Sequence, residues 1–158
     1  CGMPDAMRRL QPGGGIYFSM EETDVTRILT HPKSMVGSDG LPNDSHPHPR
    51  LWGTFPRVLG HYVREKKLLD LELAVHKMTG LSADTFRLSD RGFIHPGNFA
   101  DIVVFDPASI KDTATFDHPT EISAGIHTVL VNGTIAWKNK SGTGARTGTI
   151  LKNRTHNK

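Results

Sequence analysis

The stretch Val129-Leu130-Val131-Asn132-Gly133-Thr134-Ile135-Ala136-Trp137 sets two apolar runs on either side of Asn132-Gly133. A type I′ turn needs positive φ at both central residues, and Asn-Gly accepts that conformation at least cost, so the stretch predicts a β-hairpin. Upstream, Gly97-Asn98 is a turn signal before the apolar run Ala100 to Phe105, which Asp106-Pro107 closes. Downstream, Ser141 to Thr149 is rich in Gly and Thr and reads as a loop. From Gly92 onward the chain therefore reads as β structure.

The middle of the chain has helical periodicity. Phe55, Val58, Leu59, Tyr62 and Val63 fall at i, i+3, i+4, i+7 and i+8 of a helix starting at Thr54. A second helix takes Asp70 as N-cap, carries Leu71, Ala74, Val75 and Met78 on one face, and is expected to end at Gly80 in a left-handed turn. A third covers Ala83 to Leu88. Before them lies a loop too rich in proline for helix or sheet, Leu41 to Arg50.

The first forty residues alternate. A short helical stretch ends at Met7 and Leu10, and Gly13-Gly14-Gly15 precede a short strand, Ile16-Tyr17-Phe18. Ser19 and Glu22 are spaced as a capping box for a helix whose apolar face is Val25, Ile28 and Leu29, and His31-Pro32 stops it. Ser34 to Gly37 then reads as a second short strand that delivers Ser38-Asp39-Gly40 at its C-terminal end. Strand, helix, strand favours a parallel pair, so the fold class is α/β with an all-β C-terminal part.

Length and charge exclude several functions. At 158 residues the chain is too short for a whole (β/α)8 barrel of roughly 250 residues. No apolar run approaches the ~18 to 20 residues of a membrane span, and the first residues lack a basic start and apolar stretch, so a soluble cytoplasmic chain is expected. Cys1 is the single cysteine, which excludes an internal disulfide and a cysteine-based zinc finger. The net charge of +3 is a property of the tail: beyond Glu121 there is no carboxylate side chain, while six Lys and Arg follow. A solvated tail is expected, and no nucleic-acid partner.

Asp39 leads the candidates for chemistry. It sits where a short buried strand should end, the place where α/β sheets and barrels hold ligands, and its carboxylate could ligate zinc and take a proton from a bound water. A turn aspartate between glycines is the plainer alternative. His46 and His48 form an H-x-H pair, either a metal-binding spacing or polar contacts of a proline-rich loop. Arg50 ends that loop, and its planar fork suits a carboxylate. His31, His95 and His118 precede prolines as turn residues, and His61 and His76 lie within helices. G-x-S-x-G, P-loop and G-x-G-x-x-G patterns are absent.

Taken together, Gly37-Ser38-Asp39-Gly40-Leu41-Pro42, the run His48-Pro49-Arg50-Leu51-Trp52-Gly53-Thr54-Phe55-Pro56-Arg57, Lys77-Met78-Thr79-Gly80-Leu81, the run Pro96 to Asp106, and Val131-Asn132-Gly133 closely resemble the C-terminal third of D-aminoacylases. These are zinc-dependent N-acyl-D-amino-acid deacylases of the amidohydrolase superfamily. The resemblance implies a C-terminal fragment of a (β/α)8 amidohydrolase barrel, its last strands and helices (1–91), followed by part of a small β-sandwich (92–158). It implies that Asp39 touches the metal and acts as general acid/base, and that Arg50 grips the α-carboxylate of an N-acyl-D-amino acid. The family's remaining metal ligands match nothing here, so this chain alone is expected to hold no zinc tightly and to be inactive. Its expected partners are the barrel segment it lacks or further copies of itself. The alternative from another class is a stand-alone, non-catalytic structural or interaction domain derived from an amidohydrolase.

Overall fold

Asn132 and Gly133 take φ of 49° and 80°, the pair of positive values that the type I′ turn demands. The turn joins β2 (Ile126–Val131) to β3 (Thr134–Lys138), with Val131 opposite Thr134. β1 (Ile102–Phe105) and the short β4 (Ser141–Gly142) complete an antiparallel sheet of order β1-β2-β3-β4. The computed structural model describes residues 3–11 and 19–151.

Outside the turn, Arg91 secures the hairpin. Its guanidinium donates to Asn132 Oδ1 at 3.0 Å, pairs with Asp101 and lies 4.4 Å from the centre of the Phe99 ring. Asp101 in turn accepts from the Asn132 backbone N–H at 2.7 Å. The loop before β1 and the hairpin turn thus share one polar network.

The helices are α1 (Met3–Leu10), α2 (Glu22–Thr30), α3 (Arg50–Arg57), α4 (Leu71–Met78) and α5 (Gly80–Phe86), and a π-helical stretch, Val58–Glu65, continues α3. α3 begins four residues before the expected Thr54, because Pro49 supplies a ready helical φ of −53° at its N-terminal edge. Pro56 then sits inside the helix and brings no N–H to the Trp52 carbonyl, to which Ser123 Oγ donates at 3.1 Å. The capping box is not formed: Glu21 is the N-cap of α2 and makes no side-chain capping bond. Gly80 does not end α4 in a left-handed turn but opens α5. It is needed there for space, since a Cβ would lie 2.5 Å from the Phe93 ring and 2.8 Å from His76 Nδ1. The left-handed terminator is Arg87, φ 58°, which closes α5 with the paired bonds Leu88 N–H to Ala83 O and Arg87 N–H to Asp84 O.

The strand expected at Ile16-Tyr17-Phe18 lies outside the described residues. Ser34 to Gly37 is not a strand: the Val36 N–H donates to the Lys77 carbonyl of α4 at 3.4 Å rather than to a neighbouring strand. The expected parallel pair is therefore not present among the described residues.

The core gathers Val58, Leu59, Leu69, Ala74 and Ile110, with Phe105 and Ile126 of the sheet and Val36 packed against it. Ile110 enters this core from a turn built by Asp106, whose carboxylate accepts from Ala108 N–H and Ser109 Oγ. Those two bonds hold the Asp106 carboxyl below its ordinary range. Beside the core an apolar groove of about 1000 Å³ is walled by Trp52, Phe55, Phe93, Phe99 and Val103.

Gly60 lets the π-helical stretch lie against the Ile110 turn. A Cβ there would stand 2.6 Å from the Ile110 carbonyl oxygen and 3.1 Å from Lys111 Cα, both backbone atoms, and Arg64 Nη1 already donates to that carbonyl at 2.6 Å. Overpacking costs roughly 1–3 kcal/mol, which outweighs the ~1 kcal/mol that alanine gains in helix propensity. Gly60→Ala is expected to lower the melting temperature by a few degrees in a circular-dichroism melt. An unchanged or higher value would show that the turn yields.

Candidate active site

Asp39 and Arg50 lie eleven positions apart and meet in space. The extended segment leading from α2 ends in a bend where Asp39 takes φ 47°, a left-handed conformation unusual for a residue with a Cβ, though one that aspartate tolerates better than most. Gly40 follows and lets the bend press on α3: a Cβ would lie 2.7 Å from Leu51 Cδ1 and 2.8 Å from Leu51 Cα. Only a residue without a side chain fits that approach.

Arg50 is the first residue of α3. Its own N–H donates to His48 Nδ1 at 3.0 Å, while the carbonyls of His48 and Pro49 accept the next N–H groups of the helix. The helix start is therefore built by the proline-rich loop. From it the guanidinium reaches back in two places: Nε donates to the Asp39 carbonyl at 2.8 Å and Nη2 pairs with Asp39 Oδ2 at 3.0 Å. The Asp39 side chain is 82% exposed and that of Arg50 39% exposed. An exposed pair of this kind is worth about 0–1 kcal/mol, so its significance is positional. It aims a fork and a carboxylate into the same solvent-facing space.

The H-x-H pair does not form a metal site. His46 Nε2 donates to the Phe116 carbonyl at 2.7 Å, and His48 stands edge-on to the Phe116 ring with centroids 5.1 Å apart. Burial first, and then the nearby Arg50 charge, lower the His48 pKa, in keeping with a neutral imidazole accepting an N–H bond. His31 accepts from the Lys33 N–H, and His61 pairs with Glu65 one helical turn on. Among the described residues no group of three or more His, Cys, Asp or Glu could hold a metal. The donor set stops at Asp39, and zinc needs three or four protein ligands, so these residues by themselves do not fit the ion. Metal analysis of the dialysed chain is expected to find far less than one zinc per molecule; stoichiometric zinc would contradict this.

One residue of this region escaped the sequence reading. Lys77 is 0% exposed, and its ammonium donates to His31 O, Ser34 O and Ser34 Oγ. The available signal was its spacing, three residues after Ala74 on the buried side of α4.

Among the described residues no helix is long and apolar enough to cross a membrane. The sequence profile described as "Amidohydrolase family" matches residues 3–136. A D-aminoacylase of Alcaligenes xylosoxydans xylosoxydans is 59% identical over 147 residues, 93% of this chain and 30% of the relative. A solved D-aminoacylase, studied for its binuclear metal center, superposes with a TM-score of 0.88 at 60% identity over 91% of this chain and 30% of its own. An N-acyl-D-glutamate deacylase of Bordetella bronchiseptica, complexed with zinc and a phosphonate mimic of the tetrahedral intermediate, gives a TM-score of 0.87 at 54% identity over 93% of this chain and 31% of its own. The chain thus spans about 30% of the length of the relatives it matches.

Proposed function

This chain belongs to the amidohydrolase family, and from that premise we propose that it is the C-terminal portion of a zinc-dependent hydrolase converting N-acyl-D-amino acids to a D-amino acid and a carboxylate. The observation that carries the reading is the convergence of Asp39 and Arg50, a carboxylate and a planar cation, on one exposed corner. Residues 1–91 then correspond to the end of a catalytic (β/α)8 barrel with its following helices, and 92–158 to the C-terminal share of a β-sandwich. The antiparallel sheet β1-β2-β3-β4 supports the second assignment.

In this reading Arg50 holds the α-carboxylate of the substrate. A guanidinium has five N–H donors; in Arg50 Nε–H donates to the Asp39 carbonyl and Nη2 is ion-paired with the Asp39 carboxylate, and the substrate carboxylate would take the others. Asp39 accepts a proton from the water that adds to the acyl carbon and returns it to the nitrogen as the C–N bond breaks. The zinc that the N-acyl-D-glutamate deacylase structure contains would here draw one oxygen ligand from Asp39 and the rest from outside these 158 residues. The complete protein is proposed to act in the cytoplasm.

The reading is tested by joining this chain to the remaining part of the Alcaligenes D-aminoacylase in place of the matching 30%. The joined protein is expected to hydrolyse N-acetyl-D-amino acids in preference to their L-enantiomers, and the 158-residue chain alone to hydrolyse neither. A joined protein that folds, by circular dichroism and gel filtration, yet lacks the activity would overturn the assignment.

A further inference from the structure

The segment from Lys33 to Leu41 that presents Asp39 lies in neither helix nor ladder, so its position must come from elsewhere. Two of its anchors converge on a single residue. Lys77 Nζ donates to His31 O at 2.5 Å and to Ser34 O and Ser34 Oγ at 3.1 Å each, and the Lys77 carbonyl accepts the Val36 N–H at 3.4 Å. Ser82 Oγ, at 3.4 Å from the same carbonyl, ties it to α5. The three ammonium donors thus meet three neutral oxygens at a fully buried site.

Burying an ammonium against neutral acceptors is expensive, and its desolvation offsets much of what its three hydrogen bonds contribute. Stability is therefore a poor account of this lysine. Burial alone lowers its pKa. The chain from Val36 to Asp39 is three residues, a reach of roughly 10 Å, so whatever fixes Val36 restricts Asp39.

We propose that Lys77 is a positioning residue for Asp39: its ammonium and its carbonyl clamp His31, Ser34 and Val36, and so set the bend in which Asp39 meets Arg50. The proposal rests on the reading of Asp39 as proton carrier, and it specifies what holds that carboxylate in register.

Two measurements separate the clamp from general packing. In the joined protein, Lys77→Met is expected to lower kcat by ~10²-fold, the usual cost of misplacing a reacting group by about 1 Å, with KM within twofold of wild type. In the 158-residue chain, the Arg50 Nε–H resonance, assigned by its loss in Arg50→Lys, is expected to shift and exchange faster in Lys77→Met, since Nε donates to the Asp39 carbonyl. Leu130→Ala, in the sheet opposite Ile102 and Ile135, is the comparator: it should lower the melting temperature and leave both readouts near wild type. Ser34→Ala removes one of the three acceptors and should move both readouts the same way by a smaller factor, and it decides the matter if Lys77→Met does not fold. Unchanged kcat and Arg50 resonance in Lys77→Met, or in Ser34→Ala if that variant alone folds, would overturn the proposal. The same result follows if Leu130→Ala matches their effects. Full activity in Asp39→Asn with a shifted Arg50 resonance in Lys77→Met would remove the proton-carrier reading and leave the clamp standing.

Discussion

Asp39→Asn in the joined protein is expected to lower kcat by roughly 10²- to 10⁴-fold, the range lost with a positioned general acid/base. Asparagine matches aspartate in size, and its amide oxygen can still accept from the Arg50 guanidinium, so the bend at φ 47° should persist. It cannot accept a proton from the attacking water or pass one to the leaving nitrogen. The Asp39 ion pair is exposed, so its loss should cost at most about 1 kcal/mol of stability. Steady-state kinetics beside a thermal melt therefore distinguishes chemistry from folding. Near-normal kcat would exclude Asp39 from proton transfer.

Arg50→Ala is expected to act on recognition and on positioning together. Wild type should prefer an N-acetyl-D-amino acid to the amide lacking its carboxylate, and the variant should lose most of that preference. A hydrogen bond to a charged group contributes about 1.5–3 kcal/mol, which corresponds to a ~10- to 150-fold rise in KM. Arg50 also holds Asp39 by two atoms of one planar group, Nε on the carbonyl and Nη2 on the carboxylate, so kcat should fall as well. Arg50→Lys should restore little, because an ammonium is a single point and cannot span both acceptors. An acid-over-amide ratio that does not change in Arg50→Ala would sink the clamp role.

The candidate site was legible in its residues and not in its geometry. Asp39 stood out because glycines flank it at the end of an apolar run, and Arg50 because it closes a proline-rich loop. Their meeting depends on Gly40 lying against Leu51, a contact between segments that no local pattern announces. Lys77 was hidden for the opposite reason. A lysine on a helix is ordinarily solvated, and only its three oxygen partners, forty-three and forty-six positions away, explain its burial.

The fold divides along the same line. The chain by itself determined the Asn132-Gly133 hairpin and the reach of α2 to His31-Pro32, because positive φ and a proline are demands made within a few residues. It also determined the inner face of α4, where Ala74 joins the core and Leu71, Val75 and Met78 pack against it; Ile28 and Phe55, given inner faces by the same periodicity, are exposed. Tertiary structure decided where backbone groups find partners. Ser34 to Gly37 has strand composition but no neighbouring strand among the described residues, so Val36 bonds to α4. Pro56 falls in the first turn of the helix expected from Thr54, yet α3 begins at Arg50 and runs through it, while Ser123, from a distant segment, donates to the Trp52 carbonyl. Gly80 reads as a stop, yet the nearness of Phe93 and His76 makes it a spacer. In each case a residue's intrinsic preference was overridden by a hydrogen bond or a steric limit from a part of the chain far away in sequence, and such constraints exist only once the chain has folded.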